Sequence, residues 1–165
     1  MKNKKLTLSA LLIALGTLTG HLVYIPVGVA KAFPVQHLIN VLSAVLLGPA
    51  YAVLNAFVIS LLRNMLGVGS LLAFPGSMIG AFLAAIFYKK FKHKLWAIAG
   101  ELFGTGILGA AAAYPIARFL MGSSTAVFFF VIPFTLSAAG GVVIAYLFLK
   151  AVENADSLTF IDELN

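Results

Sequence analysis

The chain alternates long apolar segments with short breaks rich in glycine, proline or lysine, and this pattern repeats six times. The apolar segments run from Leu6 to about Val29, Phe33 to Leu47, Ala50 to Met65, Leu71 to Tyr88, Leu95 to Leu120 and Ala126 to Lys150. A helix that crosses a bilayer takes about 20 residues, and most of these segments approach that length. The pattern therefore predicts an all-α integral membrane protein, a compact bundle of six transmembrane helices. Residues 1–150 form this domain, and residues 151–165 form a short polar cytoplasmic tail.

Two prolines refine the predicted helices. Gly48 and Pro49 end the second segment, because proline disfavours a helical conformation in the preceding residue and glycine caps helix ends. Pro115 lies inside the fifth segment and predicts a kink there.

Composition places the chain in a bilayer and leaves little room for an enzyme. Hydrophobic residues make up 62% of the chain and charged residues 10%, against about 45–50% and about 25% in soluble proteins. Cysteine is absent, which excludes disulfides, thiolate metal sites and a cysteine nucleophile. The phosphate-binding pattern G-x-x-x-x-G-K-[ST], H-E-x-x-H and G-x-S-x-G are also absent. We expect no catalytic residues, no metal site and no ATP hydrolysis by this chain alone.

The basic residues predict the orientation of the bundle. The amino terminus, the loop Lys89–Lys94 and Lys150 carry eight of the eleven lysines and arginines, and six spans place all three on one side. By the positive-inside rule this side is cytoplasmic, so both termini are cytoplasmic. The net charge of +6 is therefore explained by membrane topology, and we expect no nucleic-acid partner.

Polar residues collect at the opposite, outer end of the predicted helices. At about 1.5 Å rise per residue, nearly all of them lie within roughly 10 Å of the outer interface. These candidate binding residues are Gln36, His37, Asn40, Arg63, Asn64, Ser70, Phe74 and Tyr114. Polar groups on apolar walls that include Phe33, Phe74 and Tyr114 would suit a small aromatic or heterocyclic ligand. Packing between helices, or snorkelling of Arg63 and Arg118 to lipid head groups, is the alternative.

Glu101 is the only acidic residue inside a predicted span. A buried carboxylate must be paired, hydrogen-bonded or protonated. A structural partnership across glycine-packed helices is one interpretation, and a ligand or gating role is the other. Arg118 is also a candidate structural or gating residue.

The first segment carries small residues four apart, Ala10 with Ala14 and Gly16 with Gly20. Small residues at this spacing allow close helix contact in a membrane. The pattern fits packing inside the bundle and docking on another membrane protein equally well.

Several motifs resemble the S components of energy-coupling factor (ECF) vitamin transporters. They are the stretch from Ala10 to Ala14, SAVLLGP at 43–49, and Arg63-Asn64 ahead of AFPG at 73–76. RNMLGVGSLLAFPGSMIGA and GELFGTGILGA are similar to the ThiW branch of these proteins, which is assigned to the thiazole precursor of thiamine. The resemblance covers roughly residues 6–150.

The resemblance implies a division of labour between subunits. An S component binds its vitamin near the outer face, while a membrane T component and two cytoplasmic ATPases supply the energy, so ATP is not a cofactor of this chain. Carried over, Ala10 and Ala14 dock on the T component, the ligand is hydroxyethylthiazole, and the location is the bacterial plasma membrane. A different vitamin or precursor, such as hydroxymethylpyrimidine or thiamine, a proton-coupled secondary transporter that uses Glu101, and a membrane scaffold without a ligand stay open.

Overall fold

The described part of the chain forms six helices and one pair of short antiparallel strands. The structure, a computed structural model, describes residues 2–19, 22–27, 30–124 and 126–154. The helices are α1 (Lys2–Thr19), α2 (Pro34–Leu46), α3 (Pro49–Met65), α4 (Ala73–Phe91), α5 (Lys94–Leu120) and α6 (Val131–Asn154). Strands β1 (Ile25–Val27) and β2 (Ala30–Ala32) pair antiparallel, with Ile25 opposite Ala32. The predicted helical bundle and its six helices are confirmed for the described residues.

The first helix is shorter than predicted, and this expectation was wrong. It was expected to continue to about Val29, but α1 ends at Thr19 and the chain then enters the hairpin. Pro26 lies in β1, where it holds Ile25 in an extended conformation and removes a backbone donor that a helix would need. Gly20, the second glycine of the predicted Gly16–Gly20 pair, lies outside the described residues.

Helix α2 lies at the centre of the bundle, packed by α3, α4 and α6. Eleven of its thirteen residues are buried, so α2 has no solvent- or lipid-facing side. Proline occupies its first turn, where the missing N–H costs nothing. Gly48 has a φ of +85°, which favours glycine, and Pro49 then begins α3. The predicted stop at Gly48-Pro49 is confirmed.

Glycines bring α4 and α5 into close contact. A Cβ atom on Gly104 would lie 2.8 Å from the Cα of Gly80, and one on Gly109 would lie 2.5 Å from the Cα of Gly76. Neither distance leaves room for a side chain, so the two backbones touch as small residues allow. These four glycines therefore allow α4 and α5 to pack directly against each other.

Helix α5 is regular only in part. Its hydrogen bonding becomes π-helical at Gly104–Gly109 and again at Ile116–Leu120, directly after Pro115. Proline lacks the donor that an α-helical ladder needs, which favours such a change of bonding pattern. The chain stays helical through Pro115.

Helix α6 begins later than predicted. The expected start was Ala126, whereas turns occupy 127–130 and the helix begins at Val131. Pro133 is tolerated in the first turn of a helix but not in its interior, which explains the shift. Helix α6 extends to Asn154, so the polar tail predicted from residue 151 is partly helical, and residues 155–165 lie outside the described part.

The surface of the bundle is strongly apolar. Large side chains such as Phe119, Phe128 and Met65 are more than 70% exposed, which in water would cost free energy and in lipid does not. Lys94–Leu120 and Val131–Glu153 are long and apolar enough to cross a membrane. The number of helices that do so, and the cytoplasmic location of both termini, stay predictions.

Candidate functional site

A cavity of about 660 Å³ opens where α2 and α6 begin and α3 ends. This end of the bundle is the one at which the sequence collects its polar residues. The aromatic part of the wall consists of Tyr24, Phe33, Phe129, Phe130 and Phe134. Its polar side chains include Gln36, His37, Arg63, Ser77, Thr105 and Ser137. Apolar walls with a few polar groups are typical of small-molecule sites.

Arg63 is held on the cavity wall by residues at the start of α2 and in the turn after α3. Its side chain is only 2% exposed, although it lies in the last turn of α3. Nη1 donates to Oε1 of Gln36 at 2.5 Å, and Nη2 lies 3.4 Å from the carbonyl oxygen of Val68. The guanidinium carbon lies 4.2 Å from the centre of the Phe33 ring, a cation–π contact. Arg63 is therefore fixed by the bundle and does not snorkel away from it.

Gln36 continues this chain of hydrogen bonds into α3. Its Nε2 donates to Oγ of Ser60 at 2.9 Å, while its Oε1 accepts from Arg63. Because guanidinium nitrogens only donate, the orientation of the Gln36 amide is determined. Both ends of the amide are thus engaged at the edge of the cavity.

Glu101 is completely buried. It lies behind the part of the cavity wall that His37 and Thr105 form, which is called the cavity floor below. Its Oε1 lies 2.8 Å from Nδ1 of His37, 2.9 Å from Nδ2 of Asn40 and 3.1 Å from Oγ1 of Thr105. Three polar neighbours compensate the burial of one carboxylate oxygen. Oε2 has no hydrogen-bond partner among the described residues and faces Gly80, where a Cβ atom would lie 2.8 Å away. The structure thus gives Glu101 a partnership across helices and connects it to the cavity through His37 and Thr105.

Asn40 ties α2 to α4 in the same layer. Its Nδ2 lies 3.2 Å from the carbonyl oxygen of Ser77 and 3.0 Å from its hydroxyl, which in turn lies 3.2 Å from Oδ1 of Asn40. Asn40 is 1% exposed and lies behind the wall, whereas Ser77 lines the cavity. The cavity floor therefore rests on a fully buried amide.

The structure brings together some of the predicted binding residues and leaves others out. Gln36, His37, Arg63 and Ser70 line the cavity, and Asn40 lies one layer behind it. Asn64 is not on the wall, but its Nδ2 donates to the carbonyl oxygens of Ser60 and Ser70 and so holds the turn between α3 and α4.

Phe74, Tyr114 and Arg118 do not line the cavity. The α4 residues on the wall are Ala73, Gly76 and Ser77, and Phe74 is rotated from them and packs on Phe57, with ring centres 5.7 Å apart. On α5 the residues that line the cavity are Thr105 and Ala117, while Tyr114 is half-buried and Arg118 is exposed. All three belong to the end of the bundle where the cavity lies, but the rotation of each helix about its axis turns these side chains away from the cavity.

The sequence analysis missed much of the wall. Ser77, Thr105 and Ser137 were not singled out, nor was the aromatic group of Phe129, Phe130 and Phe134. A signal existed for Thr105, which is four residues after Glu101 and therefore on the same helix face. The aromatic run ahead of Pro133 was another such signal, because proline tends to mark the first turn of a helix.

Ala10 and Ala14 lie on the exposed face of α1, with Leu11 and Leu15 beside them. Ser9, Leu12 and Gly16 form the opposite face, which packs on the bundle. The alanine pair is therefore not used in packing within the chain. Among the described residues no group of three or more His, Cys, Asp or Glu side chains is placed to hold a metal ion.

Comparison with known proteins identifies the family. The profile of ThiW, thiamine-precursor transporter protein, matches residues 6–155. No curated protein and no solved structure matches the chain. The family is one of transporters, in agreement with the apolar surface, the two helices long enough to span a membrane and the cavity between helices. Since the match covers most of the 165 residues, this chain belongs to the ThiW family of thiamine-precursor transporter proteins.

Proposed function

We propose that this chain is the substrate-binding S component of an ATP-driven ECF importer and that its ligand is hydroxyethylthiazole. The observation that carries the proposal is the cavity, in which aromatic rings face a small number of oriented polar groups in a member of a thiamine-precursor transporter family. Aromatic side chains suit the flat thiazole ring, and the polar groups suit its nitrogen and hydroxyl.

The dimensions of the cavity agree with a small ligand. At about 660 Å³ it lies within the range of about 300–1,000 Å³ that small-molecule sites occupy. Hydroxyethylthiazole has about nine non-hydrogen atoms, and small ligands reach at most about 1.5 kcal/mol per atom, so nanomolar binding is physically attainable.

Energy for uptake comes from partner proteins in this proposal. The sequence holds no phosphate-binding loop, so two cytoplasmic ATPases consume the ATP and a membrane T component links them to this chain. The exposed Ala10–Ala14 face of α1 is the contact for the T component, since small residues permit close helix approach. The setting is the bacterial plasma membrane.

A proton-coupled secondary transporter is the second candidate, and the buried His37–Glu101 pair beneath the cavity favours it. In that case the chain would take up substrate in liposomes without any ATPase, and Glu101→Gln would abolish coupling. Uptake that requires the ATPases would exclude it.

The decisive experiment is calorimetric titration of the purified chain in mild detergent with hydroxyethylthiazole. Thiamine and hydroxymethylpyrimidine serve as competitors, and His37→Ala and Arg63→Ala test the site. We expect tight binding of the thiazole, little competition, and weaker binding by both variants. Unchanged affinity in both well-folded variants would show that the site is elsewhere. Preference for a competitor would replace the thiazole as the ligand of the same cavity.

A further inference from the structure

The ring of His37 connects the cavity to the buried carboxylate of Glu101. One ring nitrogen, Nδ1, lies 2.8 Å from Glu101 Oε1, and the ring also forms part of the cavity wall. The other nitrogen, Nε2, makes no hydrogen bond to the described part of the chain. It is also absent from the buried atoms there that lack a partner, so part of its surface is accessible. A ligand in the cavity can therefore reach Nε2, and what Nε2 offers depends on which nitrogen carries the proton.

Asn40 determines the direction of the hydrogen bonds at Glu101. The carbonyl oxygen of Ser77 can only accept, so the Asn40 atom 3.2 Å from it must be the amide nitrogen. The same nitrogen lies 2.9 Å from Glu101 Oε1 and donates to it. Oε1 therefore accepts from Asn40, and with Asn40 and Thr105 both directed at it this oxygen has the surroundings of an ionised carboxylate, which only accepts.

The proton shared by His37 and Glu101 then belongs to His37. Opposite an ionised Oε1, which can only accept, Nδ1 is the donor at 2.8 Å. A neutral imidazole that carries its proton on Nδ1 has a free lone pair on Nε2, so the cavity floor presents an acceptor.

We propose that Glu101 is a positioning residue that fixes His37 in the Nδ1–H tautomer, so that Nε2 accepts a hydrogen bond from the hydroxyl group of the substrate. This inference rests on the proposed function, and it deepens it by naming the feature of the ligand that is recognised. The site therefore selects a ligand whose alcohol group donates a hydrogen bond to Nε2 of His37. Ligands of the same shape whose oxygen only accepts are rejected there.

The first test reads the tautomer directly by ¹⁵N NMR of the His37 ring. The full-length variant His21→Gln/His93→Asn leaves His37 as the only histidine, and asparagine retains the capping acceptor that His93 provides to α5. We expect a protonated Nδ1 and an unprotonated Nε2. A ring protonated at Nε2 alone, or at both nitrogens, would overturn the proposal.

Two changes at Glu101 separate positioning from folding. Glu101→Gln keeps a side-chain oxygen that can accept from His37 and Asn40, so the Nδ1–H signature should persist. Glu101→Met keeps the size but removes the acceptor, and we expect a mixture of the two tautomers. The same tautomer in wild type and in a folded Glu101→Met variant would exclude a positioning role.

The second test is calorimetry of the wild-type chain with hydroxyethylthiazole, its methyl ether and the analogue with an ethyl side chain. One hydrogen bond is worth about tenfold in affinity, so we expect the ether and the ethyl analogue both to bind about tenfold more weakly than the alcohol. The ether accepts but cannot donate, and an ether that binds as well as the alcohol would overturn the proposal.

The outcomes distinguish this inference from the function on which it rests. Binding of all three compounds with equal affinity would refute the role of Nε2 and leave the thiazole assignment intact. Binding of none, by protein whose His37 signals show a folded site, would refute the thiazole assignment and this inference with it.

Discussion

Two buried polar clusters in this protein differ in whether they touch the cavity. The cavity cluster consists of His37, Asn40, Ser77, Glu101 and Thr105. His37, Ser77 and Thr105 line the cavity, and Asn40 and Glu101 lie directly behind them. The bracing cluster consists of Ser9, Ser43 and Asn55 and joins α1, α2 and α3 away from the cavity. In it Ser9 donates to Oδ1 of Asn55 at 2.5 Å, and Nδ2 of Asn55 donates to Ser43 at 3.0 Å.

The two clusters also differ in how completely they are satisfied. Within the described residues, no buried side-chain atom of the bracing cluster lacks a partner, whereas Oε2 of Glu101 does. A satisfied buried network stabilises one arrangement of helices. Polar burial alone therefore does not mark a binding site. A binding site needs polar atoms that remain available next to a cavity, as Nε2 of His37 does.

The largest expected effect is on the helix contact that supports the cavity cluster. In Gly80→Ala the new Cβ would lie 2.1 Å from Oγ1 of Thr105 and 2.8 Å from Oε2 of Glu101, so α4 and α5 must separate. We expect the free energy of unfolding to fall by about 3 kcal/mol, the upper part of the range for overpacking, and hydroxyethylthiazole binding to be lost. Thermal unfolding in detergent and calorimetry measure the two effects.

Gly140→Ala is the matched control for this change. Its Cβ would meet only Pro34, at 3.2 and 3.3 Å, which a slight shift relieves. We expect a clearly smaller change in stability and binding close to wild type. Equal losses in both variants would mean that any added methyl group between helices disrupts this fold, whichever cluster it meets.

An intermediate effect is expected at Arg63, which holds the edge of the cavity. Arg63→Met keeps an unbranched apolar stem but removes the hydrogen bond to Gln36 and the contact of the guanidinium with Phe33. Hydrogen bonds from charged groups are worth about 1.5–3 kcal/mol, so we expect the Kd for hydroxyethylthiazole to rise about 10- to 100-fold. Arg118→Met, at an exposed position of α5, should bind as wild type does. A similar loss in both variants would indicate a general effect of positive charge.

The smallest expected effect compares one amide from each cluster. Asn40→Ala and Asn55→Ala each remove a buried amide and take away the hydrogen bonds that it makes to its buried partners, so each should lower stability by about 1–3 kcal/mol. Only Asn40→Ala should weaken ligand binding, by about tenfold, because Asn40 supports Glu101 and the cavity floor. Equal weakening by Asn55→Ala would show that the two clusters are not separate in function.

Much of the fold was predictable from local pattern. The breaks at Gly48-Pro49 and at the lysine-rich loop separate helices because proline, glycine and clustered charge each act within a few residues. The hairpin after Thr19 was not predicted, although Pro26 indicated a break, since an apolar run alone does not distinguish a strand from the end of a helix.

The candidate site was predictable in depth but not in detail. Rise per residue placed Gln36, His37 and Arg63 at one end of the bundle, and these residues line the cavity. The same reasoning included Phe74 and Tyr114, which face elsewhere, because depth along a helix does not determine rotation about its axis.

The sequence by itself determined the membrane character of this chain, its six helices and the end at which polar residues gather. These depend on composition and on spacing along one segment. The tertiary structure decided which polar atoms meet, since His37 and Glu101 are 64 residues apart and come together only because glycines let α4 approach α5 and α2 is enclosed by its neighbours. Contacts of this kind depend on the rotation and separation of helices, which packing between side chains sets.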